Sequence, residues 1–86
     1  MYIIDFARAM PESWAKSCDP AIVYEEGGEF NFDWSFGKGR MVNVCISNSG
    51  KITWAAIVNG RSIYGGVDGS SEIPQQIYDI FTELGI

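Results

Sequence analysis

The sequence predicts an α+β fold in which a five-stranded antiparallel meander carries N-terminal and C-terminal helices on one face. Three observations predict it. Apolar and polar residues alternate along the middle of the chain, as in half-buried strands, and apolar residues recur every three to four positions at both ends, as in amphipathic helices. Turn-forming residues also separate the alternating runs at short intervals. They are Gly27-Gly28, Gly37-Lys38-Gly39, Asn48-Ser49-Gly50, Asn59-Gly60 and Asp68-Gly69. We expect the 86 residues to form one domain, 1–86.

The N-terminal segment is predicted to be helical over residues 2–18. Its apolar residues, including Phe6, Met10 and Trp14, recur at helical spacing. Pro11 interrupts this stripe, and proline is costly inside a helix but comfortable in a first turn. We therefore expect either a kink near Met10 or a second short helix that opens at Pro11.

Five strands are predicted from the alternating runs, at about 21–26, 29–36, 40–48, 51–58 and 61–67. The second run has the clearest alternation, because aromatic rings occupy its even positions from Phe30 to Phe36. We expect these rings to point under the helices, together with Ile22 and Tyr24 of the first strand. The pair Gly65-Gly66 predicts a bulge or a frayed edge in the last strand.

The C-terminal helix is predicted over about residues 72–84, where Ile73, Ile77, Ile80, Phe81 and Leu84 fall at helical spacing. Ser71 is a candidate N-cap, and Pro74 is tolerable in the first turn. Gly85 is the residue at which the helix should stop.

Composition excludes several classes of active site. The chain has no histidine, which removes Ser-His-Asp and Cys-His nucleophile systems and imidazole metal sites. Cys18 and Cys45 are too few and too far apart for a disulfide framework or a zinc knuckle, so we expect free thiols, no metal and no cofactor. We find no apolar run long enough to span a membrane and no secretory signal pattern, so the expected location is cytoplasmic.

Charge is distributed unevenly. The first 33 residues hold seven acidic and two basic residues, and the overall formal charge is −5. The candidate partner-binding residues form the acidic segment around the second strand: Glu25, Glu26, Glu29, Asn31 and Asp33. Such a segment favours either an ordinary solvated face or a negative patch that docks onto a basic partner.

The basic residues give an alternative site. Lys38, Arg40 and Arg61 should meet at one end of a meander, where with nearby aromatic rings they could serve a nucleic-acid-binding or regulatory domain. Most of those rings occupy strand positions that are expected to point into the core, and the whole chain is acidic. This interpretation is therefore the second choice. A small enzyme built from Asp, Tyr, Lys or Cys is a third class, without an established motif to support it.

One stretch carries a resemblance. The run from Gly27 to Trp34, then Val42-x-Val44-x-Ile46 and Lys51-Ile52-Thr53-Trp54, resembles the hairpin core of small phage and mobile-element proteins over roughly residues 20–82. By analogy with anti-CRISPR proteins, the resemblance implies a phage-encoded stoichiometric inhibitor of a host defence complex. We thus expect a non-enzymatic protein-binding module that uses the acidic sheet face, with a protein partner such as a basic nucleic-acid-binding host protein. A homodimer remains open.

Overall fold

The strands form a single antiparallel sheet in sequential order, β1-β2-β3-β4-β5, in a computed structural model that describes residues 3–37, 39–68 and 72–86. Lys38 and Ser71, both named as candidates from the sequence, lie outside the described residues. The elements in chain order are α1 (Ile3–Ala9), α2 (Glu12–Ser17), β1 (Ala21–Glu25), β2 (Glu29–Gly37), β3 (Arg40–Ile46), β4 (Ile52–Val58), β5 (Arg61–Val67) and α3 (Gln75–Glu83). The predicted α+β meander is therefore confirmed.

The N-terminal helical segment is divided at Met10 and Pro11. The backbone N–H of Met10 donates to the carbonyl of Phe6 at 3.0 Å, and Pro11 occupies the N-cap position of α2 with φ −58° and ψ 141°. Proline has no N–H to donate to a preceding turn, so α1 cannot continue through it. Of the two expected outcomes, the structure shows the second short helix.

The core lies between the helices and one face of the sheet. Phe32 and Trp34 of β2 are buried there, whereas Phe30 and Phe36 are half-buried at its margin. Phe6 of α1 packs on Phe32 with ring centroids 4.9 Å apart, and the indole N–H of Trp34 donates to the main-chain oxygen of Trp14 in α2 at 3.1 Å. The expected inward orientation of the β2 rings is confirmed.

The first strand departs from the prediction. Ile22 and Tyr24 have the parity of the core face but are 58% and 64% exposed. The buried strand residues belong to β2, β3 and β4, because the short helices cover only the centre of the sheet. The expectation that Ile22 and Tyr24 lie under the helices was wrong for this reason.

The glycine pair of β5 does not form a bulge. Gly65 and Gly66 pair with Trp54 and Thr53 in unbroken register. A Cβ atom on Gly65 would lie 2.7 Å from Cζ2 of Trp54, so glycine is needed here to make room for the indole ring. The register shift in the sheet occurs instead in β2, between Ser35 and Gly37.

Helix α3 begins three residues later than predicted because Pro74 occupies its N-cap with φ −57° and ψ 141°. Its C-terminus confirms the expected stop. Gly85 has φ +82°, its N–H donates to the carbonyl of Thr82, and the N–H of Ile86 donates to the carbonyl of Phe81, both at 3.0 Å. These two bonds form a Schellman motif, which requires the left-handed conformation that glycine adopts without strain.

Candidate functional site

The candidate site is the open face, which we define as the face of the sheet opposite the helices. Its residues alternate with those of the core along each strand. The pairing register places most of them in three cross-strand rows: Ala21-Asp33-Asn43-Ala55-Tyr64, Val23-Asn31-Cys45-Thr53-Gly66 and Ser35-Met41-Ile57-Ser62. The pair Glu25-Glu29 is added at one end. The open face is half-exposed or exposed along its length.

Two carboxylates face each other at the β1–β2 end of the open face. Glu25 and Glu29 are direct cross-strand partners that flank the turn at residues 26–28. Asn31 donates its side-chain N–H to Oε1 of Glu25 at 3.4 Å, and the thiol of Cys45 contacts Oε2 of Glu29 at 3.4 Å. Like charges directly opposite each other destabilise an antiparallel pair. The sequence therefore concentrates negative charge where the fold alone would not favour it.

Asp33 extends this acidic region along β2. Its Oδ1 accepts a hydrogen bond from the amide of Asn43 at 2.8 Å. Asp33 lies four residues from Glu29 on the same face, which is about 13 Å along a strand. We call Glu25, Glu29 and Asp33, with Asn31 between them, the acidic half of the open face.

Glu26 lies in the turn after β1 and is exposed. The turn is closed by a hydrogen bond from the N–H of Gly28 to the carbonyl of Glu25 at 3.1 Å. The structure thus brings four of the five predicted binding residues onto one face and leaves Glu26 at its end.

Burial and the acidic half both raise the pKa of the Cys45 thiol. Burial raises the pKa of Cys45 above its ordinary value of 9.0, and the hydrogen bond to Glu29 and the negative charges of Glu29 and Glu25 act in the same direction. A hydrogen bond involving Thr53 opposes these effects on the pKa. Because the thiolate is the nucleophilic form, Cys45 is a poor nucleophile in this setting.

The other half of the open face is apolar. Met41, Ala55, Ile57 and Tyr64 line a shallow groove of about 310 Å³ across β3, β4 and β5. Tyr64 is 81% exposed. Alternation in the sequence assigns these residues to the open face, but the groove arises only from the pairing of three strands. We call this part the apolar half.

The alternative basic site is differently placed. Arg40 and Arg61 do meet at one end of the sheet, since both pair with Val58. Val58 is buried under the helices, so its cross-strand partners Arg40 and Arg61 lie on the helix side of the sheet as well. Nη2 of Arg40 donates to the carbonyl of Leu84 at the end of α3, and Nη2 of Arg61 contacts both carboxylate oxygens of Glu83 at 2.6 and 2.7 Å. Both guanidinium groups are thus engaged with α3.

Features of other kinds of site are sparse in the described part of the chain. Within residues 3–37, 39–68 and 72–86, no group of three or more Cys, Asp or Glu side chains is arranged to hold a metal ion, and no polar or charged side chain is buried. The helices described in these ranges are all too short to cross a bilayer. Cys18 and Cys45 are both free thiols.

Comparisons with protein-family models, curated proteins and solved structures find no match to this chain. The resemblance to small phage proteins therefore stays a prediction.

Proposed function

We propose that the protein is a non-enzymatic binding module whose open face docks onto a basic protein surface. The observation that supports this most is the direct opposition of Glu25 and Glu29. A cationic group placed over the pair would relieve their mutual repulsion and would find carboxylate oxygens as hydrogen-bond acceptors. Asp33 offers a further carboxylate on the same surface.

The apolar half supports the same proposal. Interfaces commonly combine an apolar centre with polar and charged residues around it. Met41, Ile57 and Tyr64 supply apolar area on the same face of the sheet. Met41 lies one cross-strand row from Asp33 on the neighbouring strand, whereas Glu29 lies two rows beyond Asp33 in the opposite direction. The molecule measures 32 × 23 × 22 Å. One face of that size approaches the ~800 Å² per partner of a standard interface.

The resemblance of residues 20–82 to small phage proteins suggests a specific form of this activity, which is stoichiometric inhibition of a host defence complex. A basic nucleic-acid-binding subunit of such a complex is the class of partner that an acidic face would recognise. Its capture by the acidic half would compete with nucleic acid for the same basic surface.

The proposal is tested with immobilised protein and two charge-reversal variants of equal net charge. Glu29→Lys/Asp33→Lys alters the acidic half, whereas Asp19→Lys/Asp68→Lys alters two exposed positions outside it. Each double substitution changes the formal charge from −5 to −1, since each Asp or Glu to Lys change adds two. A pull-down from host lysate at low salt is followed by mass spectrometry, and circular dichroism checks the fold of both variants.

We expect basic proteins to be retained by the unmodified chain and by Asp19→Lys/Asp68→Lys, and to be lost with Glu29→Lys/Asp33→Lys. Retention should weaken as salt rises, because exposed charges are screened. Equal retention by the two variants would contradict the assignment of the acidic half. Failure to retain any basic protein at low salt would contradict the proposed function itself.

A further inference from the structure

The outer strand β1 has features that the proposed function does not use. All five of its residues are exposed, and it is at one edge of the sheet in the described strand order. Ile22 and Tyr24 are exposed on the helix side, and Val23 is 45% exposed on the open face. Natural edge strands are normally protected by lysine, proline or a bulge. Between Ala21 and Glu25 the register with β2 is unbroken, and the strand's sole charge is at its end.

The hydrogen-bonding groups on the free edge can be assigned from the hairpin. The carbonyl of Glu25 accepts from Gly28 across the turn, so Glu25 directs its backbone groups toward β2. Successive residues of an antiparallel strand direct their N–H and C=O groups to opposite sides. Val23 therefore faces β2 as Glu25 does, and Ile22 and Tyr24 direct their N–H and C=O groups outward.

We propose that β1 pairs antiparallel with β1 of a second copy of this chain, with the two-fold axis beside Val23. Ile22 then lies opposite Tyr24 of the second copy, and Tyr24 lies opposite Ile22 of the second copy. Each such pair exchanges two backbone hydrogen bonds, so all four outward N–H groups find carbonyl acceptors. The two Val23 side chains meet at the axis.

In the other two-fold registers, fewer of the outward backbone N–H and C=O groups find hydrogen-bond partners. An axis beside Ile22 places Tyr24 opposite Pro20 of the second copy, which has no N–H to donate. An axis beside Tyr24 places Ile22 opposite Glu26, which lies in the turn and not in the strand. The register centred on Val23 is therefore the one that the backbone groups favour.

The side chains agree with this register. Ile22 opposite Tyr24 is a pairing of a β-branched and an aromatic residue, which stabilises antiparallel strands. Glu25 falls opposite Ala21 of the second copy, so like charges do not meet directly across the new pair. The contact is isologous and closes on itself, joining two sheets into one of ten strands with both open faces on the same side.

The dimer is expected to be weak and to respond to salt. A five-residue strand is a small contact compared with the ~800 Å² per partner of a standard interface, so we expect dimerisation only at high protein concentration. Each copy carries a formal charge of −5, and salt screens the repulsion between copies. Added salt should therefore strengthen self-association, whereas it should weaken docking of a basic partner on the open face.

The test uses charges placed at the two-fold axis. In Val23→Lys the two introduced ammonium groups face each other, and in Val23→Glu the two introduced carboxylates do. Sedimentation equilibrium is measured for each variant alone, for an equimolar mixture and for the unmodified chain up to about 1 mM, because a contact this small forms a weak dimer. Tyr64→Lys is the matched control, because Tyr64 is an exposed apolar residue on the open face of the other edge strand.

We expect the unmodified chain and Tyr64→Lys to dimerise alike, each Val23 variant alone to dimerise at least tenfold more weakly, and the mixture to regain dimerisation. Circular dichroism establishes that each variant is folded. A monomer over the whole concentration range for the unmodified chain would overturn the proposal. So would a loss of dimer in Tyr64→Lys, which would indicate pairing through β5, or a mixture of the Val23 variants that stays monomeric. None of these results depends on binding of a basic partner.

Discussion

The indole ring of Trp54 lies against the main chain of Gly65, its cross-strand partner in β5, so closely that a Cβ on Gly65 would be 2.7 Å from Cζ2 and 2.9 Å from Cε2. Trp54 is buried in the core between β4 and the helices, and the ring has little room to move. Because Gly65 has no side chain, the edge strand β5 leaves room for the Trp54 ring in the core.

Gly65→Ala should destabilise the fold by about 1–3 kcal/mol, the usual cost of an added group in a packed core. Its free energy of unfolding is measured by urea denaturation. In the background Trp54→Phe, the smaller ring removes the atoms that clash, so the same substitution should cost less. Additive effects of Gly65→Ala and Trp54→Phe would contradict the contact as the cause.

Trp34→Phe should destabilise by about 2–4 kcal/mol, because it leaves a small cavity and removes the donor to a buried acceptor. That acceptor is the main-chain oxygen of Trp14, at 3.1 Å from Nε1 of Trp34. Tyr64→Phe is the comparison, since it alters an exposed aromatic residue and should stay within about 0.5 kcal/mol of the unmodified chain. Thermal unfolding measures both, and equal melting temperatures would contradict the proposed role of this hydrogen bond.

Arg40→Ala and Arg61→Ala should differ in their effect on stability. Arg40 is partly buried and donates to the Leu84 carbonyl at the C-terminus of α3, where a cation also meets the negative end of the helix dipole. Arg40→Ala should therefore lower the free energy of unfolding by about 1–3 kcal/mol. Arg61 forms an exposed ion pair with Glu83, so its loss should cost less than about 1 kcal/mol.

Salt separates these two contributions. The effect of Arg61→Ala should disappear at high ionic strength, whereas most of the effect of Arg40→Ala should remain, because a hydrogen bond in a partly buried place is screened less. Urea denaturation at low and high salt measures this. A larger loss from Arg61→Ala than from Arg40→Ala at either salt concentration would be inconsistent with the observed contacts.

The thiol of Cys45 should react slowly with alkylating reagents at neutral pH. Burial and Glu29 raise its pKa above 9.0, so the rate of alkylation should reach half its maximum above that pH. The chain carrying Cys18→Ser leaves Cys45 as the single thiol, and mass spectrometry follows its reaction with iodoacetamide. Adding Glu29→Gln should lower the midpoint, because the neutral amide no longer repels the thiolate.

The same shift in pKa couples stability to alkaline pH. Because the pKa of Cys45 is higher in the folded chain, its contribution to stability is complete below the unfolded-state pKa and is lost as the pH rises through the folded-state pKa. Cys45→Ala should remove this part of the alkaline destabilisation.

In the alkylation experiment, a midpoint that stays unchanged in Glu29→Gln would show that Glu29 does not influence the Cys45 thiol.

The sequence was sufficient to predict the strand order and the parity of most side chains. Alternation places the rings of Phe32 and Trp34 inward and Glu29 and Asp33 outward, because a strand has a period of two. Glycine at position 85 likewise marks the end of α3 through its backbone freedom.

The extent to which the helices cover the sheet, and the contacts between residues distant in sequence, could not be predicted in the same way. Parity says which face Ile22 and Tyr24 lie on, but the extent of the helical layer depends on the lengths and docking of α1 to α3. The role of Gly65 depends on a tryptophan eleven positions earlier, and that of Arg40 on a carbonyl at the far end of the chain. These are contacts between distant residues, and local periodicity carries no information about them.

The pair formed by Trp14 and Trp34 has an optical consequence. Their ring centroids are 6.4 Å apart and their planes are inclined at 88°. Two indole chromophores this close together couple their electronic transitions, and we expect the coupled pair to add a paired positive and negative band to the ultraviolet circular dichroism spectrum. One chromophore belongs to α2 and the other to β2, so the amplitude of this couplet would report the docking of the helix separately from the formation of the sheet.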